Sequence, residues 1–245
     1  MAGLFTSREK SAIADSIRAD LARVRELRAA ARSAGDDRLR LRAWQSERLA
    51  RTYPDLLADP RYGPAARFFL EDLYGPKDFS ARDDEVARIL PAMTRILPAS
   101  AVRTFGLAIE LDCLSERLDA AIIAALRASR TDGAVLTIDS TRYATAYRAC
   151  ANRPERERQI ALVGEIGVAL DALARKPLIA RAIELMRAPA HAAGLGELHD
   201  FLERGFGAFR HMRGAREFLA IIDRRERLIL DRIFEADPDP FRATE

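Results

Sequence analysis

The sequence predicts an all-α protein, a single-domain helical bundle of eight to ten helices with an N-terminal helical hairpin. Three observations carry that prediction. Apolar residues recur at spacings of three and four through most of the chain, the repeat that lines one face of a helix. Proline and glycine fall between these runs and punctuate them. No part of the chain shows the alternation over several runs that strands need. The one β-like segment, 134–138 (AVLTI), is too short and isolated to found a sheet.

Residues 6–34 read as one long helix capped by Thr6 or Ser7. Its apolar face runs through Ile13, Ile17, Leu21, Val24 and then Leu27 or Arg28. Gly35-Asp36-Asp37 breaks it, and an aspartate there can cap the next helix. That helix carries Leu39, Leu41, Trp44, Leu49 and Tyr53 and ends near Pro54. The pair makes the expected hairpin (1–58), packed on or extending from the main domain, with Trp44 at the hairpin contact. Residues 55–64 (DLLADPRYGP) read as a turn-rich connection. The main bundle is expected over 59–236 and a disordered tail over 237–245.

The stretch from Phe68 to Asp119 organises the middle of the chain. Phe68, Phe69, Leu70 and Leu73 suit the buried side of a short helix that Tyr74-Gly75-Pro76 stops. Ser80 with Asp83 three residues on resembles a capping box. Pro91 is expected to kink or split the helix that follows, and Pro98 to sit in the first turn of another, over 98–128. There Leu107, Leu111, Leu114, Leu118, Ile122 and Ala125 share one face. Asp112, Glu116 and Asp119 fall on the strip beside it, between the core stripe and a second apolar patch.

Beyond the turn at Asp132-Gly133, Asp139 or Ser140 caps a helix with Tyr143, Ala146, Tyr147 and Cys150. Asn152 can cap the next, which has Pro154 in its first turn and Ile160, Val163, Ile166, Gly167, Leu170 and Ala174 on one face. Gly164 and Gly167 each cost about 1 kcal/mol against alanine in a helix. Their expected use is close approach by a neighbouring helix or a ligand. Pro177 kinks or restarts the chain, and Pro189 with Gly194-Leu195-Gly196 precedes a helix bearing Leu198, Phe201, Leu202, Phe206 and Phe209. The last helix, 215–234, carries Phe218, Leu219, Ile222, Ile229 and Ile233, widened by Ile221, Leu228 and Leu230. That apolar surplus, matched near Leu39, Leu41 and Trp44, predicts a homodimer through the last helix or the hairpin.

Composition narrows the function classes. The chain has 245 residues, 49% hydrophobic and 31% charged, as folded soluble domains do. Lys plus Arg is 40 against 37 Asp plus Glu, so the positive excess is only +3. Arginine alternates with acid, as in Arg153-Pro154-Glu155-Arg156-Glu157-Arg158, and nucleic-acid binding is not expected from so mixed a surface. No window approaches a transmembrane length of apolar residues, so no membrane partner is expected. Two cysteines make no disulfide framework, and no secretory leader pattern is present; the expected compartment is the cytoplasm. Cys113 reads as a small core residue.

Catalytic signatures are missing. There is no Walker A, Gly-x-Gly-x-x-Gly, Gly-x-Ser-x-Gly, HExxH or CxxC pattern. Gly205-Phe206-Gly207 lies inside a helical apolar pattern and is no phosphate loop. His191, His199 and His211 lack the glutamate three residues before them that a helical di-metal site uses. His199 and Glu203, four apart, are expected to pair on the helix surface. No metal and no cofactor are expected.

The polar residues that remain are Asp72, Tyr74, Asp78, Arg82 and Asp83 near the turn, with Asp112, Glu116 and Asp119 on the long helix. If that helix passes beneath the turn, Arg82 can bridge these carboxylates. The set is either a turn locked by caps and buried salt bridges, or a pocket for a small cationic or polar ligand. The function expected is a small-ligand or protein-binding, regulatory module. The alternative is an enzyme using Asp112, Glu116 or Asp119 as acid, base or metal ligand, with Tyr74 nearby.

Three segments carry a resemblance. FFLEDLYGPKDFSARD (68–83), ERERQIALVGEIGVALDALARKPL (155–178) and GELHDFLERGFGAFRHMRGAREFLA (196–220) resemble an uncharacterised bacterial domain family, over about residues 60–234. The resemblance implies one bacterial helical domain and brings no activity, cofactor or catalytic residue with it.

Overall fold

A computed structural model describes residues 7–33, 37–73, 75, 80–97, 99–129 and 136–242. Among them are eleven α-helices and no strand. In chain order they are α1 (Ser7–Ser33), α2 (Asp37–Thr52), α3 (Pro54–Ala58), α4 (Gly63–Phe68), α5 (Ser80–Ile96) and α6 (Ala99–Ala128). Then follow α7 (Ser140–Ala149), α8 (Arg153–Ala174), α9 (Pro177–Ala192), α10 (Gly196–Met212) and α11 (Arg216–Phe234). Phe69–Leu73 continues α4 as a wider π-helical turn. The count passes ten because 55–64 is not all turn. Pro54 and Pro64 each sit in a helical first turn, where a missing N–H leaves nothing unpaired, and each starts a short helix.

α6 is the centre of the bundle. α1 packs along it, and α8, α7 and α2 cover other parts of its surface. α10 lies against α9, α4, α8 and α5, and α11 against α8 and α7. Pro91 sits inside a continuous α5, which it does not split. Asp139 caps α7, its carboxylate accepting from the Arg142 amide at 2.8 Å. Asn152 gives α8 no side-chain cap. No described helix is long and apolar enough to cross a membrane.

One expectation about the N-terminal hairpin is corrected. The ring partners of Trp44 lie outside the hairpin. Trp44 stacks on Tyr143 of α7, with ring centroids 4.2 Å apart, and meets the edge of Phe241 at 5.7 Å. Residues 237–242 include a turn that places Phe241 against that aromatic pair. Most of the broad face of the last helix is covered within the chain, while Leu228 stays exposed. Phe218, Leu219, Ile229, Leu230 and Ile233 are all buried. Other large apolar residues are exposed too, most of all Leu178 and Leu185 on α9 and Ile96 at the end of α5.

Among the described residues, most buried apolar side chains fall into four clusters. One joins α2, α3 and α4 to α10 and α11. A second joins α7 and α11 to the C-terminal half of α6, and a third seats α1 and α5 on its N-terminal half. The fourth, small, lies between α6 and α8. A domain of this size ordinarily has one contiguous core. Polar side chains and open space divide this one.

Candidate functional site

The helical repeat sets Asp112, Glu116 and Asp119 on one strip of α6 that faces α1 and α2. The apolar stripe of α1 (Ile17, Leu21, Val24) continues into Arg28, a side chain only 2% exposed. Arg28 Nε donates to Glu116 at 2.8 Å and Nη2 to both Asp112 oxygens at 2.9 Å, while Nη1 pairs with Asp83. Glu116 also accepts from Arg38 Nε at 3.0 Å and Arg42 Nη2 at 2.7 Å. Asp119 accepts from Gln45 at 2.9 Å, with Arg42 Nε at 3.8 Å. Asp83 thus meets a cation in the core instead of only closing a helix turn.

The structure brings together Asp83, Asp112, Glu116 and Asp119, but the bridging arginine is Arg28 of α1. Arg82 lies over the Phe201 ring at 4.6 Å and donates to the Asp72 carbonyl at 3.4 Å. Burial lowers its pKa, and Asp112 is the carboxylate that opposes this most. Asp72 stands apart, held side-on by Arg204 at 2.8 to 3.2 Å. Tyr74 and Asp78 lie outside the described residues. The sequence reading omitted Arg38, Arg42 and Gln45, which no local pattern marks. Burial pushes the Glu116 pKa up, but Arg42, Arg38 and Arg28 outweigh it and hold the group below the usual carboxylate range. For Asp119 burial wins over Arg42 and Gln45, and its pKa is raised.

Beside the network lies a cavity of about 920 Å³. All four apolar clusters contribute to its wall, through Leu49, Phe68, Phe105, Ile166 and Tyr147 among others. A polar band is set into that wall: Arg42, Gln45, Ser115, Asp119, Arg156 and Gln159. The lining residues that are also exposed are Ser100 of α6, Lys176, and Leu178, Ala182 and Met186 of α9. The cavity therefore opens between α9 and the start of α6. Arg156 is 4% exposed. Its Nη1 donates to Gln159 at 3.3 Å, and its guanidinium lies 4.3 Å from the Tyr147 ring centroid. Gln159 in turn donates to Ser115 at 2.9 Å.

Of the other reactive side chains, His199 also lines the cavity, whereas Cys113 and His191 are not part of its wall. Burial pushes the Cys113 thiol up to about 11, so it stays protonated at neutral pH and acts as a core side chain. His199 Nε2 donates to the Ile183 carbonyl at 2.8 Å, which leaves Nδ1 facing Asp200 at 3.7 Å. His191 Nε2 is 2.8 Å from the same carboxylate. Donor atoms of these three residues lie within 4.8 Å of one another, the spacing of groups able to share a metal ion. Glu203 pairs with Arg187 from α9 and not with His199, correcting the expected surface pair.

No curated protein and no solved structure matches the chain. A family model described as a domain of unknown function (DUF8198) matches residues 24–240. The match runs from the Val24–Arg28 end of the α1 stripe to the turn before Phe241, and takes in the arginine network and all but the last residue of the cavity wall. On that match the chain belongs to the DUF8198 family of domains.

Proposed function

We propose that this chain is a binding protein for a small, mainly apolar ligand enclosed between α6, α8 and α10 and admitted beside α9. The cavity carries this reading. Its volume of about 920 Å³ falls near the top of the range of small-molecule sites, roughly 300–1,000 Å³. Ordinary interiors are packed as densely as organic crystals and leave no such space. The wall is mostly aliphatic and aromatic, with a few convergent polar groups, the composition that buries an organic molecule and orients it. Arginines already occupy Asp112 and Glu116, which leaves Asp119, held by Gln45 and with its pKa raised by burial, as the carboxylate the enzyme alternative would use.

The test uses the delipidated full-length chain, a neutral fluorescent probe (N-phenyl-1-naphthylamine) and hexadecanol as competitor. Saturable, displaceable binding near one probe per chain is expected. Hexadecanol at 100 times its Kd should add about 2.7 kcal/mol to stability. Ala182→Trp, placed on an exposed lining position, should slow binding and change stability by no more than about 0.5 kcal/mol. Absence of saturable binding, together with an unchanged melting temperature, overturns the reading.

A further inference from the structure

We infer that the ligand is a monocarboxylate with an apolar body, its head group held by Arg156; this rests on the cavity being a binding site. Arg156 lines that cavity and is almost wholly buried. Its Nε and Nη2 have no hydrogen-bond partner, and among the described residues no carboxylate lies within 4.0 Å of it. A buried cation with no counter-ion is costly to keep, and the usual remedy is an opposite charge in contact with it.

The charge count isolates this residue. Arg28, Arg38, Arg42 and Arg82 stand near Asp83, Asp112, Glu116 and Asp119. Arg48 is paired with Glu226 at 2.7 Å. Among the described buried groups Arg156 is the cation left over. Asp119 feels its charge at longer range but is already held by Gln45 and Arg42.

The free edge also fits the ligand. Nε and Nη2 are adjacent donors on one side of the guanidinium, the pair that grips both oxygens of a carboxylate side-on. Gln159 holds the opposite side through Nη1, and Tyr147 covers one face, so the guanidinium is held in place; Nε and Nη2 are sealed from solvent, and a head group reaches them by a small shift of the cavity wall. One surplus positive charge neutralises one negative charge. A phosphate dianion would leave a second charge buried without a partner.

Binding of palmitate, hexadecanol and hexadecyl phosphate to the delipidated chain tests the inference, in the wild type and in Arg156→Gln and Arg156→Lys. The wild type should bind palmitate at least about tenfold more tightly than hexadecanol. Arg156→Gln should lose that preference and keep hexadecanol binding, while Arg156→Lys should keep part of it. Without ligand, Arg156→Gln should melt at a higher temperature than the wild type, since it removes a buried unpaired charge. Equal preference in wild type and Arg156→Gln overturns the head-group assignment and leaves the cavity reading intact. So does tighter binding of hexadecyl phosphate than of palmitate, or a lower melting temperature for unliganded Arg156→Gln. Failure of all three probes overturns the cavity reading as well.

Discussion

Arg28 is the residue whose role was half legible. The spacing that carries Ile17, Leu21 and Val24 leads next to Leu27 or Arg28, and the structure takes the arginine. An arginine in register with a buried stripe signals a buried cation, and a buried cation implies carboxylates opposite. Asp112, Glu116 and Asp119 are readable from their strip on α6, but the sequence points to the nearby Arg82 as their partner. The sequence separation of Arg28 from Glu116 hides the pair. Arg28→Met should cost roughly 3–5 kcal/mol in urea unfolding, since it strands several buried carboxylates. A loss under 1 kcal/mol would show that water reaches them. The two neighbouring acids should respond to pH in opposite directions. Glu116 has a folded pKa below its ordinary 4.5, so its contribution is present above that pH and lost as pH falls through the folded value. Asp119 has a folded pKa above its ordinary 3.8, so its contribution is present below 3.8 and lost as pH rises through the folded value. Glu116→Gln should therefore destabilise at neutral pH, and Asp119→Asn should stabilise there, with both differences shrinking in acid. A destabilising Asp119→Asn at neutral pH would contradict the raised pKa.

At the scale of elements, periodicity located most helices because it is a property of neighbouring residues. What each helix face meets was not readable in the same way. Gly164 and Gly167 of α8 look alike in the sequence, and both suggested close approach. A Cβ at Gly167 would overlap the side chain of Leu219 from α11, whereas a Cβ at Gly164 would meet nothing within 4 Å. Gly164→Ala should then gain about 1 kcal/mol from helix propensity. Gly167→Ala should lose stability, because the buried Leu219 must leave its place in the core. The same sign for both substitutions in thermal unfolding would mean that α8 and α11 do not approach as closely as described. Trp44 taught a similar lesson. An aromatic on a helix face promises a packing partner, but only the assembled bundle brings Tyr143 and Phe241 to it.

The whole molecule shows what no stretch of sequence encodes, the space left between helices. Four apolar clusters and one arginine network surround the cavity, so the apolar composition that a sequence reading assigns to a continuous core is spread over its wall. Unfolding eliminates such space, and pressure favours whichever state occupies less volume. The unliganded chain should unfold at modest pressure with a volume change toward the large end of the usual range, about −100 mL/mol. A ligand that fills the cavity acts twice: it stabilises the folded state by mass action, and it replaces empty space with atoms. The midpoint should therefore rise on saturation with the apolar ligand, and the volume change should become smaller in magnitude. Mass action alone would raise the midpoint with the volume change unaltered. Trp44, stacked on Tyr143 beside the cavity wall, gives the fluorescence signal for both readings. A liganded chain whose volume change equals that of the free chain would mean that the ligand sits on the surface and the cavity is filled by water.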